Sequence, residues 1–188
     1  MEMLQNNWLH ERLPERAVNW VYAELMKSKI VDGPEAIWRG VGSDDEPFDG
    51  EIRSNEHDIV EGLHGSCWTI NKNVCGHFGN KTLISWVSAN RMLVLTDELF
   101  DVWAGMGGSG YGESEDWERG DELGIKWKNV AHIGDIVMSF CFQHNIDLIQ
   151  LYPHTSVHPF AENEIFVPFS PFANMPKNRF PFSFELVD

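Results

Sequence analysis

The first regular pattern along the chain is an apolar face at helical spacing. The residues that form it are Val18, Val21, Tyr22, Leu25 and Met26. This spacing predicts a helix over residues 15–30, and Gly33-Pro34 marks the break that follows it. Asn71 is predicted to cap a second helix that runs to about Phe78.

Short apolar runs bounded by turn-forming residues are typical of strands. They predict strands at 36–41, 66–70, 163–169 and 182–187, while 136–142 and 148–152 read as two strands or as a strand and a turn. Segment 83–103 leaves strand and helix open, and polar segments 42–62 and 153–159 are predicted loops. Because both periodicities occur, we expect an α+β domain with short antiparallel strands.

The length of 188 residues fits one domain that spans residues 1–188 and buries a core without disulfides or metal. Segment 104–124 is rich in glycine and acid, and we expect a mobile insertion without regular structure there.

The formal net charge is −15, and the acidic residues are spread along the chain. Proteins that bind a phosphate backbone normally carry a basic face, so extended duplex nucleic acid is not an expected partner. Three cysteines are too few for a disulfide framework and favour a reducing compartment. Without a signal-like start or a long apolar run, we expect a cytoplasmic protein, or one delivered into a target cell's cytoplasm, and no membrane partner.

Two carboxylates are predicted to share one face of a late strand. In Glu162-Asn163-Glu164-Ile165-Phe166-Val167, alternation places Glu162 and Glu164 on one side and Ile165 and Val167 toward a core. A fixed carboxylate can stabilise the cation that forms when a ribosyl bond breaks, and a second one can assist the nucleophile. By itself such a pair is more often a solvated strand face.

An arginine lies inside an early apolar strand, Ile37-Trp38-Arg39-Gly40-Val41. A charged side chain in such a place needs an anion, and guanidinium suits a pyrophosphate through paired hydrogen bonds. Gly40 would let the backbone approach a ligand closely. The alternative is an ordinary ion pair between Arg39 and a structural carboxylate.

A third element follows, in which the strand around Cys67-Trp68-Thr69 leads into the segment that ends at Phe78. A threonine hydroxyl there could hold a catalytic carboxylate in place. In order and strand context, the three elements resemble the arginine–serine–glutamate branch of the ADP-ribosyltransferase superfamily. The resemblance covers roughly residues 36–169. It implies split antiparallel β-sheets around an NAD cleft, with flanking helices.

The resemblance also implies roles for particular residues. Arg39 would bind the phosphates of NAD, which is a substrate here, and the Gly40 backbone would hold the nicotinamide amide. Glu164 would be the catalytic glutamate, Thr69 would orient it, and Glu162 would assist the acceptor.

The remaining implied site residues are aromatic side chains and a recognition loop. Trp68 and Phe78 would contribute to the cofactor site, and His158 and Phe160 would read the target. One departure concerns the middle motif, where Cys67 replaces a family hydroxyl, and Ser66 would point to the other face. A metal site at His154 and His158 is disfavoured, because the flanking prolines make this segment a loop.

The expected activity is therefore mono-ADP-ribosylation of a macromolecule, either a protein side chain such as arginine or a base of single-stranded nucleic acid. Such a protein would be a bacterial toxin, an anti-phage protein or a phage effector, restrained by an antitoxin or immunity protein. Two alternatives stay open. One is an NAD glycohydrolase, in which water is the acceptor, and the other is a non-enzymatic acidic binding or immunity module on the same fold.

Overall fold

The protein is described here from a computed structural model. The described residues are 13–56, 62–106, 115–126, 129–151, 164–169 and 180–187. The chain divides into two compact units. A helical unit takes its described residues from Met1–Lys29, Glu56–Leu63 and Leu95–His144, and a sheet unit takes them from Ile30–Asn55, His64–Val94 and Asn145–Asp188.

The helical unit contains four described α-helices. They are α1 (Glu15–Lys27), α2 (Asp97–Met106), α3 (Glu115–Glu122) and α4 (Ala131–Gln143). Helix α1 begins after Pro14, and it buries a stripe that includes Val18, Val21 and Leu25. This stripe has the spacing of an amphipathic helix, so α1 packs its apolar face against α4 and α2.

Helix α1 is joined to the start of α2 by polar contacts around a buried carboxylate. Glu24 accepts hydrogen bonds from Lys27 Nζ (2.9 Å) and Thr96 Oγ1 (2.8 Å). The backbone N–H of Thr96 donates to Ser28 Oγ, which itself donates to the Glu24 carbonyl. Each polar group buried here therefore has a partner, as a stable interior requires.

The sheet consists of nine described strands, which lie in the sheet unit except for Lys29 and Glu56 at two strand ends. They are β1 (Lys29–Asp32), β2 (Ala36–Val41), β3 (Asn55–Glu56), β4 (His64–Thr69), β5 (Lys81–Trp86), β6 (Arg91–Val94), β7 (Leu148–Gln150), β8 (Glu164–Pro168) and β9 (Glu185–Val187). Eight of them follow the order β1-β6-β7-β8-β4-β2-β5-β9, and β3 pairs with β4. A 3-10 helix, Lys72–His77, connects β4 to β5.

The pairing between strands is uneven along the sheet. Strand β2 pairs with β5 along its whole length, and β4 pairs with β8 from Gly65 to Thr69. Between β2 and β4 the register gives a single pair, Trp38 with Thr69. The sheet therefore opens between β2 and β4 at the point where the sequence places its candidate chemistry.

One face of the sheet carries an apolar core. Its fully buried members include Ile37, Leu83, Leu148, Ile165 and Val167. The prediction that Ile165 and Val167 face a core is confirmed, and the alternation of β8 places Glu164 on the opposite face.

The α+β class is confirmed, with three differences in detail. Residues 136–142 lie in helix α4 and were wrongly predicted as a strand, because an apolar run alone does not separate a buried helix from a strand. The sheet is mixed rather than purely antiparallel, since β6 and β7 are parallel. Part of the proposed unstructured insertion is helix α3.

Other sequence predictions agree with the structure. Segment 83–103 resolves into the end of β5, then β6, then most of α2, so it contains both periodicities. Asn71 does cap a helix, through a hydrogen bond from the Asn73 N–H, but the helix is 3-10 in type. Of the helices in the described ranges, none combines the length and apolarity needed to cross a bilayer.

Candidate active-site cleft

Three adjacent strands place three side chains in one row. Trp38 on β2 pairs with Thr69 on β4, and Thr69 pairs with Glu164 on β8. Directly paired residues of antiparallel strands point to the same face, with Cβ atoms about 5 Å apart. The row therefore brings an indole, a hydroxyl and a carboxylate together on the face opposite the apolar core.

A cleft of about 270 Å³ lies at this row, where β2 and β4 separate. Six residues singled out from the sequence line it: Arg39, Gly40, Trp68, Thr69, Phe78 and Glu164. The volume is slightly below the range of roughly 300–1,000 Å³ that is typical of small-molecule pockets. The described walls can therefore hold part of a dinucleotide.

Arg39 spans the opening between the two strands. Its Nη1 donates to the backbone carbonyl oxygen of Cys67 at 2.7 Å. Burial lowers the pKa of the Arg39 guanidinium, an effect that the nearby Cys67 side chain partly opposes. No carboxylate among the described residues forms an ion pair with Arg39, so the described side chains leave this cation without an anionic partner.

Gly40 follows Arg39 on β2 and packs against the 3-10 helix. A Cβ atom at this position would overlap the carbonyl oxygen of Cys75. The sequence hypothesis gave Gly40 a role in approaching a ligand, but the structure supplies a packing reason for the glycine. Its backbone nevertheless lines the cleft.

Thr69 ends β4 and is buried beside Glu164. Its Oγ1 accepts a hydrogen bond from the backbone N–H of Asn71 at 2.9 Å, which fixes the turn into the 3-10 helix. A hydroxyl can accept one hydrogen bond and donate another at the same time. Thr69 can therefore belong to the turn and orient a neighbouring group at once.

Glu164 begins β8 and is 8% exposed. Its backbone carbonyl accepts from the Leu151 N–H at 3.0 Å, which ties the start of β8 to the end of β7. Its backbone is therefore held between β7 and β4, and its side chain is largely buried on the wall of the cleft.

The two aromatic residues that the sequence assigned to the site differ in their surroundings. Phe78 follows the 3-10 helix and is 57% exposed, so its ring is available to a ligand. Trp68 is 2% exposed, stacks on Phe180 at 4.8 Å and donates from Nε1 to Ser66 Oγ. Trp68 borders the cleft but is mainly a core residue, and Ser66 lies on the core face as alternation predicts.

Two further residues, Trp38 and Cys67, line the cleft. Trp38 lies in the row described above, and Cys67, which the sequence did not assign to the site, contributes the carbonyl that holds Arg39. The alternation of β4 places Cys67 on the same face as Thr69, so strand periodicity could have indicated it. The pairing of Trp38 with Thr69 depends on sheet topology, which no local pattern reveals.

Several predicted residues lie outside the described ranges, namely Glu162, His158 and Phe160, with the predicted recognition loop 152–161. In the parts of the chain that are described, histidine, cysteine and acidic side chains form no group that could hold a metal ion.

Comparison with known proteins gives no further information about this geometry. No protein-family model, curated protein or solved structure matches the chain.

Proposed function

We propose that the protein is an NAD-dependent mono-ADP-ribosyltransferase whose active site is the cleft between β2, β4 and β8. The observation that carries the proposal is the joint placement of Arg39, Thr69 and Glu164 on one cleft. These residues come from strands far apart in sequence, and the resemblance assigned them to one site before their positions were known.

The cation in the cleft favours an anionic ligand. Arg39 is largely withdrawn from water, and its described contact is a backbone carbonyl rather than a carboxylate. A buried charge is costly unless an opposite charge compensates for it. Phosphate oxygens of NAD would provide that charge, and the guanidinium geometry matches them.

The anion in the cleft favours a reaction in which positive charge develops. Breaking the bond between nicotinamide and ribose leaves a cationic character on the ribose. Glu164 is largely buried on the cleft wall, where it can stabilise that charge. Thr69, opposite it on β4, would keep its carboxylate in position.

The aromatic wall supports the same assignment. Trp38 and Phe78 both line the cleft, and the flat indole of Trp38, paired with Thr69, is a good surface for a nicotinamide ring. In this proposal Arg39 binds the phosphates, the Gly40 backbone lies near the nicotinamide amide, and Glu164 is the catalytic residue. Glu162, two positions before Glu164, would assist the acceptor.

The decisive experiment measures nicotinamide release from NAD with a cell lysate as acceptor, using NAD labelled in its adenylate half. We expect release by the parent and at least a 100-fold loss in Glu164→Gln, as for other groups that stabilise transition-state charge (roughly 10²–10³-fold). The matched control is Glu185→Gln, an exposed carboxylate on β9 that does not line the cleft.

The labelled product distinguishes the mechanisms. Label on a macromolecule supports transfer, whereas label that stays as free ADP-ribose identifies a glycohydrolase that uses the same cleft. Equal release by the parent and Glu164→Gln, or no release by folded parent protein, would contradict the proposal.

A further inference from the structure

One segment of the chain differs sharply in charge from the rest. The sequence has 29 acidic residues, yet none of them lies between Gly62 and Thr96. The same 35 positions contain Lys72, Lys81 and Arg91. They also form β4, the 3-10 helix and β5, which supply one wall of the cleft.

Burial of the sheet does not explain the lack of acid, because many of these positions are exposed. The exposed ones around the 3-10 helix are Ile70, Lys72, Asn73, Gly76, His77, Phe78, Asn80 and Lys81. Amide, basic and aromatic side chains thus occupy surface positions where the rest of the chain is rich in carboxylates. This neutral-to-basic surface will be called the acid-free strip.

A second cavity, of about 260 Å³, lies at the end of the acid-free strip. Its apolar lining includes Phe48 and Leu186, and its polar lining includes Asp44, Asn80 and Lys81. Asn80 Nδ2 donates to Asp44 Oδ1 at 3.2 Å, which places an amide and a carboxylate side by side. A flat ring with both donor and acceptor groups fits this combination.

The two cavities are neighbours in the sheet unit. Phe78 lines the first cavity and Asn80 the second, and the short segment between them is joined to β2. Asn80 N–H donates to the Gly42 carbonyl, and Gly79 packs so closely on Val41 that a Cβ atom would not fit. The exposed Phe78 of the first cavity is therefore followed by a backbone, held against β2, that leads directly to the second cavity.

We infer that the acid-free strip binds a single-stranded nucleic acid and that the acceptor of the transferase is a base of that strand. The inference rests on the proposed function. One base stacks on Phe78, an adjacent base enters the second cavity against Phe48, and Lys72 and Lys81 contact phosphates. Proteins that bind single strands combine aromatic stacking platforms with basic groups in this way.

The charge distribution favours a single strand over the other macromolecules. A duplex would present many phosphates to a protein with net charge −15, and the strip holds too few cations to compensate. A basic protein acceptor would be attracted to carboxylates, and the strip beside the cleft lacks them. A single strand presents half as many phosphates per length as a duplex, and its unpaired bases can stack on an exposed ring.

The transfer step on such an acceptor is balanced. The bond between nicotinamide and ribose C1′ breaks, and nicotinamide leaves with the bonding electron pair. A nitrogen of the base donates its lone pair to C1′ and forms the new bond, and its proton passes to solvent. No oxidant, reductant or metal is required.

The test measures the binding of a fluorescent, mixed-sequence single strand of about a dozen nucleotides, the size range that single-strand sites cover, in the absence of NAD. Phe78→Ala should weaken binding roughly tenfold, since it removes one base-stacking platform. Its matched control is Trp86→Ala, because Trp86 is equally exposed (59%) but does not line either cavity.

A second pair of variants tests the cations. Lys81→Glu should weaken binding several-fold, and Lys126→Glu, an exposed lysine of the helical unit, should not change it. Absent binding, or equal weakening by a variant and its control, would overturn the inference. So would transfer of label from NAD to protein in a lysate while the oligonucleotide stays unlabelled.

The failure of this inference can be told apart from failure of the proposed function. Nicotinamide release without any oligonucleotide tests the proposed function alone. Release together with no strand binding rejects only the nucleic-acid acceptor. Strand binding with the expected variant pattern, but without nicotinamide release, rejects the transferase and leaves the binding surface.

Discussion

The two compact units each bury a glutamate, and the surroundings of the two carboxylates differ. Glu24 of the helical unit is 4% exposed and lies between Lys27 and Thr96, which both donate hydrogen bonds to it. Glu164 of the sheet unit is 8% exposed, and it faces a cleft that also contains Arg39. Similar burial thus accompanies a closed polar network in one unit and a ligand-sized opening in the other.

In the proposed function, this difference separates a structural carboxylate, Glu24, from a catalytic one, Glu164. A network that satisfies a buried charge internally contributes to stability. A buried carboxylate on the wall of a cleft can serve binding or catalysis at the expense of stability. This trade-off between stability and activity is common at functional sites. Burial alone therefore does not identify an active-site residue, whereas burial on the lining of a cleft is more informative.

The largest expected effect is that substitution of Glu164 lowers activity but not stability, whereas substitution of Glu24 lowers stability but not activity. Glu164→Gln should reduce nicotinamide release at least about 100-fold and change the free energy of unfolding by less than about 1 kcal/mol. Glu24→Gln should retain release per folded molecule and lose about 1–3 kcal/mol of stability, because it loses charged hydrogen bonds. Activity assays and urea unfolding of both variants measure the two quantities.

If Glu164→Gln lost as much stability as Glu24→Gln, the contrast between the two units would disappear. Glu164 would then be a structural residue of β8 that happens to border a cleft. Glu185→Gln on β9 provides the surface control, and neither quantity should change in it.

The next effect concerns the cation of the cleft. Arg39→Ala should weaken NAD binding roughly 10–100-fold, because a charge-assisted hydrogen bond contributes about 1.5–3 kcal/mol. Arg39→Lys should recover only part of the affinity, since an ammonium group cannot form paired hydrogen bonds with a phosphate. Equilibrium binding of NAD to each variant measures this, and unchanged affinity in Arg39→Ala would remove the phosphate role.

The helical unit offers the matched control for that measurement. Arg119 on α3 is exposed, and its guanidinium lies 5.8 Å from the centre of the Trp20 ring. Arg119→Ala should leave NAD affinity at the parental value, even if it lowers stability slightly through loss of this contact.

The third effect is the pH dependence of the Glu24 network. Burial opposes ionisation of Glu24, but the hydrogen bonds from Lys27 and Thr96 outweigh it and hold the pKa of this carboxyl below its ordinary value. Its stabilising contribution is therefore complete above the unfolded pKa of about 4.3 and disappears as the pH falls through the folded pKa. The stability difference between the parent and Glu24→Gln should be constant near neutral pH and shrink in acid.

Urea unfolding of both proteins across the acidic range tests this sign. A difference that stays constant into strong acid, or that grows there, would show that the Glu24 contribution does not depend on its ionisation. The interpretation of Glu24 as a charged structural residue would then be wrong.

Much of the sheet and of the cleft lining could be predicted from the sequence, because the relevant signals are local. Strand alternation placed Ile165 and Val167 on the core face, and Glu164 therefore on the other. Whether Arg39, Thr69 and Glu164 lie together is not a local property. It depends on the pairing of β4 with β2 and β8, and only the resemblance suggested it in advance.

The errors arose where two structures share one local pattern. Residues 136–142 are apolar except for Ser139, and even the exposed Phe142 is apolar, so no continuous polar face revealed the 3.6-residue period. Gly40, which the sequence assigned to a ligand, also has a packing reason, because the carbonyl of Cys75 fills the space beside it. A glycine selected for packing and one selected for binding look alike in a sequence.

The smallest expected effect concerns Thr69, which connects the turn to the carboxylate. Thr69→Val keeps the shape but removes the hydroxyl, so the Asn71 N–H loses its acceptor and about 1 kcal/mol of stability is lost. If Thr69 also positions Glu164, turnover should fall about threefold to tenfold, a loss of roughly 1 kcal/mol of transition-state stabilisation, while KM for NAD changes little.

Thr69→Ser distinguishes positioning from a purely structural role. Serine retains the hydroxyl, so it should restore most of the turnover even if the lost methyl group costs some packing in β4. If the Thr69→Val and Thr69→Ser variants have the same turnover per folded molecule, Thr69 acts only in the turn. If turnover is high in the parent and in Thr69→Ser but low in Thr69→Val, the hydroxyl links the geometry of the β4 turn to the carboxylate on β8.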